Sequence, residues 1–290
     1  MSMSVPRLFR RMVDDASVLP PGGALPRQAV DEHRAHRAAW YGDLVGTLLV
    51  PAADLDDLRG VPDPADPLAI GLVGELPVVR ARLAKWARGV PAGLDGADLA
   101  QIEVPVAKRG EDPIPGLTAL LELARAWPTL PVYAEIPLTW GLSNALDVVA
   151  EARAAGVLVA AKFRTGGLAA ELFPTPVELA AVICACHERD LPFKLTSGLH
   201  HAIRHGDPDT GLTHHGFLNV LVGALIAADG GEVVDVAQVL GNTDPVPLIE
   251  AVRPRRHDER PLWIGFSSTI VDDPVRDLGR LSLIHPVVPS

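Results

Sequence analysis

The feature that most constrains this chain is an alternation. Short apolar runs are separated, again and again, by stretches with helical periodicity. The runs cover Met12 and Val13, then residues 45–51, 68–73, 99–106, 131–137, 158–163, 192–196 and 262–267. Helical segments are expected over residues 29–41, 77–88, 117–127, 144–155, 215–228 and 273–283, with a short one marked by Leu55 and Leu58 and another over 233–240. In the segment 117–127, Leu117, Leu120, Leu121 and Ala124 fall on one helical face. A further helix is announced by Thr175-Pro176-Val177-Glu178, which supplies an N-cap, a first-turn proline and the glutamate of a capping box. The remainder of 229–260 is Pro-rich and reads as irregular.

The apolar runs are continuous rather than alternating, as expected of parallel strands covered by helices. Eight strands alternating with helices predict an α/β fold, a (β/α)8 TIM barrel forming one domain over 1–290, with a long loop after the seventh strand. An open doubly wound sheet is the alternative, but no Gly-x-Gly-x-x-Gly follows a first strand. At 290 residues and 48% hydrophobic, the chain can bury one large core.

Charge and composition narrow the function classes. The formal net charge is −10, and the richest basic patch, Arg253-Pro-Arg-Arg-His257, is short, so a nucleic-acid partner is not expected. No apolar run reaches membrane-spanning length, and the N-terminus lacks the apolar core of a signal peptide. Cys184 and Cys186 lie two apart on a predicted helix and point away from each other. A cytoplasmic location is expected.

In a barrel of this kind the chemistry lies at the C-terminal ends of the strands. Those ends carry Asp14 or Asp15, Glu103, Glu135, Lys162 with Arg164, Lys194 with Thr196, and Ser267 with Ser268. Asp14 and Asp15 face opposite sides of their strand, so one should point inward. The sixth and seventh strands end alike, Lys162-Phe-Arg-Thr-Gly166 and Lys194-Leu-Thr-Ser-Gly198. A lysine in an apolar strand is costly to bury unless paired or used, and two in succession suggest ammonium groups aimed into one cavity. Crowded by other cations and desolvated, such a lysine is expected to have its pKa lowered from ~10.4 toward ~7–8. It could then attack a carbonyl as a neutral amine and form a Schiff base, with a carboxylate moving protons.

These strands resemble class I aldolases of the deoxyribose-phosphate aldolase type. The likeness rests on the two lysine strands, on Trp263-Ile-Gly-Phe-Ser-Ser268 and faintly on Met12-Val-Asp-Asp15. The resemblance implies that Lys162 forms the Schiff base, that Lys194 lowers its pKa, and that Glu103 stands where that family has a fourth-strand acid. It also implies phosphate contacts from Gly166, Gly167, Gly198, Ser267 and Ser268. The chain departs from the family in having Arg164 in place of a small polar residue, Glu103 in place of an aspartate, and histidines where the family is glycine-rich after the seventh strand.

Those histidines form the third motif. His200, His201, Arg204, His205, His214 and His215 crowd one loop, with Asn219 a turn into the next helix. His200 or His201 could act as acid or base, and Arg204, His214, His215 and Asn219 could hold an anion. Thr165, Thr196 and Ser197 complete the polar set at the strand ends. A metal-assisted isomerase or hydrolase using Glu103, Glu135 and this loop is a second reading, although the spacing matches no standard zinc pattern. A barrel that only binds an anion is a third. His33 and His36 read as solvated, Cys184-x-Cys186-His187 as a helix far from the strand ends, and Trp140 and Trp263 as core or pocket lining. The expectation is thus an aldolase-like lyase acting through Lys162 on a small anionic carbonyl compound, without a cofactor. A homo-oligomer is compatible with it.

Overall fold

A computed structural model of the chain describes residues 5–89 and 94–285. Its elements follow the predicted alternation: β1 (Val13–Asp15), α1 (Pro26–Ala38), β2 (Val45–Pro51), β3 (Leu68–Val73), α2 (Leu76–Trp86), β4 (Ala97–Pro105), α3 (Pro113–Ala126), β5 (Val132–Glu135), α4 (Leu142–Ala154), β6 (Val159–Arg164), α5 (Pro176–Glu188) and β7 (Phe193–Thr196). Then come β8 (His205–Gly206), β9 (Thr213–His214), α6 (Phe217–Ala228), α7 (Val233–Gly241), α8 (Pro245–Val252), β10 (Trp263–Ser268) and α9 (Asp272–Arg280). A 3-10 helix, Ala52–Leu58, stands between β2 and β3.

The eight strands β1, β2, β3, β4, β5, β6, β7 and β10 close into a barrel, with every pairing parallel. The chain is therefore an α/β protein with a (β/α)8 barrel. No helix among the described residues is long and apolar enough to cross a membrane.

Local sequence explains the helix starts. Thr175 and Glu178 form the expected capping box, the Glu178 amide donating to Thr175 Oγ1 at 3.3 Å and the Thr175 amide to Glu178 Oε2 at 2.7 Å. Within 229–260 the helix expected over 233–240 is present as α7, but the remainder, expected to be irregular, also holds α8. The misreading has a physical cause. Pro245 and Pro247 both lie in the first turn of α8, where the missing N–H would have had no partner anyway, and Asp244 caps the turn by accepting from the Val246 amide. The loop after β7 likewise holds a two-stranded hairpin, β8 with β9.

The barrel interior departs from the usual apolar layers. Asp14, Thr47, Gln101, Glu103, Lys162 and Lys194 are all buried. Room for them comes from glycine. A Cβ on Gly46 would run into the Asp14 carboxylate, and one on Gly71 would lie 2.7 Å from Leu49 and 2.8 Å from Gln101. Gly265 in β10 has φ +149°, and a Cβ there would strike the Met12 carbonyl, which accepts the Phe266 amide at 2.8 Å. Gly265→Ala should therefore lose about 1–3 kcal/mol of stability. Chemical denaturation checks this, and an unchanged midpoint would show that β10 can shift away from Met12 freely.

Candidate active site

Five strands deliver charged side chains to the barrel axis. β6 and β7 pair with Lys162 opposite Lys194, and β5 pairs with β6 with Glu135 opposite Lys162. Residues two apart on a strand share a face. The inward positions of β4 are thus Gln101 and Glu103, and those of β5 are Tyr133 and Glu135.

Glu103 is the hub. One of its oxygens accepts the Lys194 ammonium, and the other lies 2.8 Å from the Lys162 ammonium. Lys162 also meets Glu135 at 2.7 Å, and Lys194 also meets Asp14. Gln101 Nε2 donates to Asp14 Oδ2 at 2.9 Å and to Glu103 Oε1 at 3.0 Å. The Lys194 ammonium sits 4.8 Å from the centre of the Tyr133 ring. Above Lys162, the Arg164 guanidinium donates to Glu135 Oε1 at 3.1 and 3.2 Å and to Ser197 Oγ at 3.3 Å. Three carboxylates thus face three cations. Glu103, Lys162 and Lys194 are at most 2% exposed.

This arrangement reverses one expectation. Burial alone would lower the pKa of Lys162, but Glu103 and Glu135 outweigh it and raise the value. Lys194 is raised too, by Asp14 and Glu103 against the same opposing burial. Burial opposes the charge on Glu103, yet Lys162 and Lys194 hold its carboxyl down at about 2, and Lys162 with Arg164 lowers Glu135 in the same way. The two lysines do not meet as bare cations stripping protons from each other, because a carboxylate lies between them.

The structure sorts the other candidates. Asp14 points inward, while Asp15 points outward and bonds His33 Nδ1 at 3.0 Å on α1. Asp15 thus belongs to helix packing rather than the site, and His33, 4% exposed, is buried rather than solvated. His36 is partly shielded against Tyr41, with Nδ1 2.9 Å from the hydroxyl. Thr196 and Ser267 share a hydroxyl hydrogen bond of 2.7 Å inside the barrel. Ser268 turns away and donates to its neighbour's carbonyl, Ile270 O, at 2.9 Å. Thr165 donates to Ser197 O at 2.6 Å, and Gly166 and Gly198 let these two loops touch, since a Cβ on Gly166 would lie 2.8 Å from Gly198 Cα. Gly167 is backed by Leu172.

The histidine loop mostly builds itself. His215 Nε2 donates to Pro174 O at 2.7 Å, and burial, opposed by that bond, pushes its pKa down to about 4. Arg204 reaches His215 Nδ1 at 3.3 Å. Asn219 accepts from the Arg204 amide and donates to Val239 O and Asn242 O, so it is a structural joint rather than a substrate contact. His201 lies 3.2 Å from Asp277, and His205 and His214 stack across β8 and β9 with centroids 5.3 Å apart. Burial, then the neighbouring His214 and His201, lowers the His200 pKa. Among the described residues no hydrogen bond or ion pair joins these histidines to the lysine network, and no group of three or more His, Cys, Asp or Glu is arranged to hold a metal ion. The oxygens of Glu103 and Glu135 are taken up by cations instead.

Sequence reading missed Gln101 and Tyr133, although each lies two residues before a chosen glutamate and so shares its face. It also missed Lys108 and Arg109, which with Glu135, Arg164 and Pro174 line a cavity of about 260 Å³ at the C-terminal mouth. Trp140 is exposed and Trp263 is core. Cys184 and Cys186 are free thiols on α5, and burial raises the pKa of both.

Fold and site together define a (β/α)8 barrel with a buried lysine–carboxylate network at its strand ends. Compared with known protein families, characterised proteins and solved structures, the chain gives no significant match.

The pKa directions fix how stability follows pH. Glu103 and Glu135 are depressed, so their contribution is complete above about pH 4.5 and is lost at lower pH, for Glu103 as the pH falls through about 2. The raised lysines contribute fully below about pH 10.5 and lose it only above that. Thermal melts should be flat from about pH 5 to 10 as far as these groups govern them. Glu103→Gln, which removes the carboxylate shared by two buried ammonium groups and leaves each with one of its two partners, should cost about 3–5 kcal/mol. A variant as stable as the parent would mean that the lysines find other partners.

Proposed function

We propose that this barrel is an enzyme of carbonyl chemistry, an aldolase-like lyase in which Lys162 forms a Schiff base with a small carbonyl compound bearing an anionic group. The observation that carries the reading is the position of Lys162. It is buried between two carboxylates, one of which, Glu135, also lines the C-terminal mouth beside Arg164. Buried ion networks contribute little net stability, and clusters of perturbed groups in a cleft favour catalysis.

The resting ammonium is the wrong form for attack, and Glu135 supplies the remedy. A proton passes from Lys162 Nζ to Glu135, the neutral amine adds to the substrate carbonyl carbon, and a proton of the added nitrogen moves to the resulting alkoxide to give a neutral carbinolamine. Glu135 then returns the proton to the carbinolamine hydroxyl, which leaves as water. The resulting iminium carries the same single positive charge, in the same place, as the ammonium it replaces. Glu103 and Glu135 therefore hold the intermediate as they hold the resting lysine, with no new charge to solvate. The iminium accepts the electron pair of the bond between its α- and β-carbons, which becomes the C=C of an enamine, while the β-hydroxyl gives its proton to Glu135 and becomes a carbonyl; the reverse forms the bond. Arg164, with Lys108 and Arg109 at the rim, provides the charge that an anionic substrate needs.

Because the proton moves within the network, the free protein needs no bulk deprotonation. Borohydride trapping with small aldehydes and 2-oxo acids should label Lys162 at a rate flat from about pH 5 to 10, falling in acid as Glu135 protonates. Glu135→Gln should slow trapping at neutral pH by about 10²–10⁴-fold and make it rise with pH. Peptide mass spectrometry reads the adduct; folded protein that gives none on Lys162 with any carbonyl tried rules the reading out.

A further inference from the structure

The barrel has a second mouth, and it is also cationic. A cavity of about 480 Å³ opens at the N-terminal ends of the strands and reaches up to Lys194 and Asp14. Arg10, which also pairs with Asp43 at 3.8 Å, Arg11 and Arg260 lie in its wall, and among the described residues lining it Asp14, already held by Lys194, is the one carboxylate. This stands out in a chain of net charge −10.

Arg260 is the informative group. Its guanidinium is largely buried, and its hydrogen bonds go to carbonyls: Leu8 at 2.7 Å, Arg10 at 3.2 Å, Trp263 at 2.6 Å and Ile264 at 2.5 Å. These bonds tie the N-terminal segment to the start of β10, but carbonyls carry no formal charge. No carboxylate lies within ion-pair distance among the described residues, and burial, opposed only by the more distant charge of Asp14, pushes its pKa down to about 10. A buried cation without a paired anion is costly. Beside it, Arg11 is held at φ +49° with its amide on Asp43 O at 2.7 Å, a backbone conformation a side chain of this kind seldom adopts. Tyr133, whose phenol burial pushes up to about 12, keeps its hydroxyl proton on the cavity wall.

We propose that this N-terminal mouth is a binding site for a small oxyanion, a phosphate or carboxylate group, held by Arg11 and Arg260 with Tyr133 as a further donor. The site is on the opposite face of the barrel from the Lys162 mouth and does not depend on the reaction proposed there. Its occupant would nonetheless be felt, because Lys194 joins the cavity wall to Glu103 and hence to Lys162.

Inorganic phosphate, with acetate as the monovalent carboxylate arm, is the probe, titrated by calorimetry at low ionic strength. Phenylglyoxal modification of Arg11, mapped by mass spectrometry, gives the location. Saturable 1:1 binding is expected, with Arg11 protected by phosphate. Arg11→Gly, which suits the backbone, should weaken binding by about tenfold or more, whereas Arg164→Ala at the other mouth should leave it within about twofold. Tighter phosphate than acetate identifies a phosphoryl ligand, and the reverse identifies a carboxylate. Arg11 labelling unaffected by either anion, unchanged affinity in Arg11→Gly, or binding lost in Arg164→Ala would each overturn the proposal. The protection measurement uses the unaltered protein, so it stands even where a variant folds poorly.

Discussion

One carboxylate holds the centre of this barrel together. Glu103 places an oxygen against each of two buried ammonium groups. Each lysine then finds a second carboxylate of its own, Glu135 for Lys162 and Asp14 for Lys194. Like charges this close in a low-dielectric interior would repel strongly, and the bridging anion turns that repulsion into a chain of alternating sign. The chain runs from Arg164 at one mouth down to Asp14 near the other. It explains why glycine stands at 46 and 71, where a Cβ would press on Asp14 and on Gln101.

A polar axis changes what the barrel can do. Apolar layers would have sealed one end from the other. Here the interior is continuous in charge, and each end has a cavity lined by arginine. Neighbouring charges hold Glu103 and Glu135 ionised and Lys162 and Lys194 protonated. The fully charged arrangement is stable over the neutral range, and internal proton transfer changes no net charge.

Most of the architecture was legible because strand runs and helix caps are local signals. Thr175-Pro176 with Glu178 announces a helix start, and the lysines and glutamates at matching strand ends give the inward face. The position of Lys162 and Lys194 opposite each other follows from the same register. Electrostatic sign was less legible. Two lysines on adjacent strands suggest mutual repulsion, and only the closed ring shows that Glu103, from the far side of β5, reaches between them. Asp14 and Asp15 could not be told apart from spacing alone, since a three-residue strand has no long pattern. The helix α8 was hidden by prolines that mark its start rather than its end. His215 and Asn219 looked functional because they are polar and crowded, yet apart from the Arg204 guanidinium beside His215 their partners are backbone groups, a use that no side-chain motif reveals.

Asn219 has a consequence for how the C-terminal rim behaves. Its amide grips the C-terminal end of α7 through Val239 and Asn242, while its oxygen holds the Arg204 backbone at the mouth. Helix α6, which bears it, is buried on nearly every side beneath α7 and α8. The histidine loop is thus a masonry wall keyed into an outer cladding, not a flap. Alterations to the cladding around Asn242, far from any reacting atom, would be transmitted through that amide as a change in the shape of the doorway.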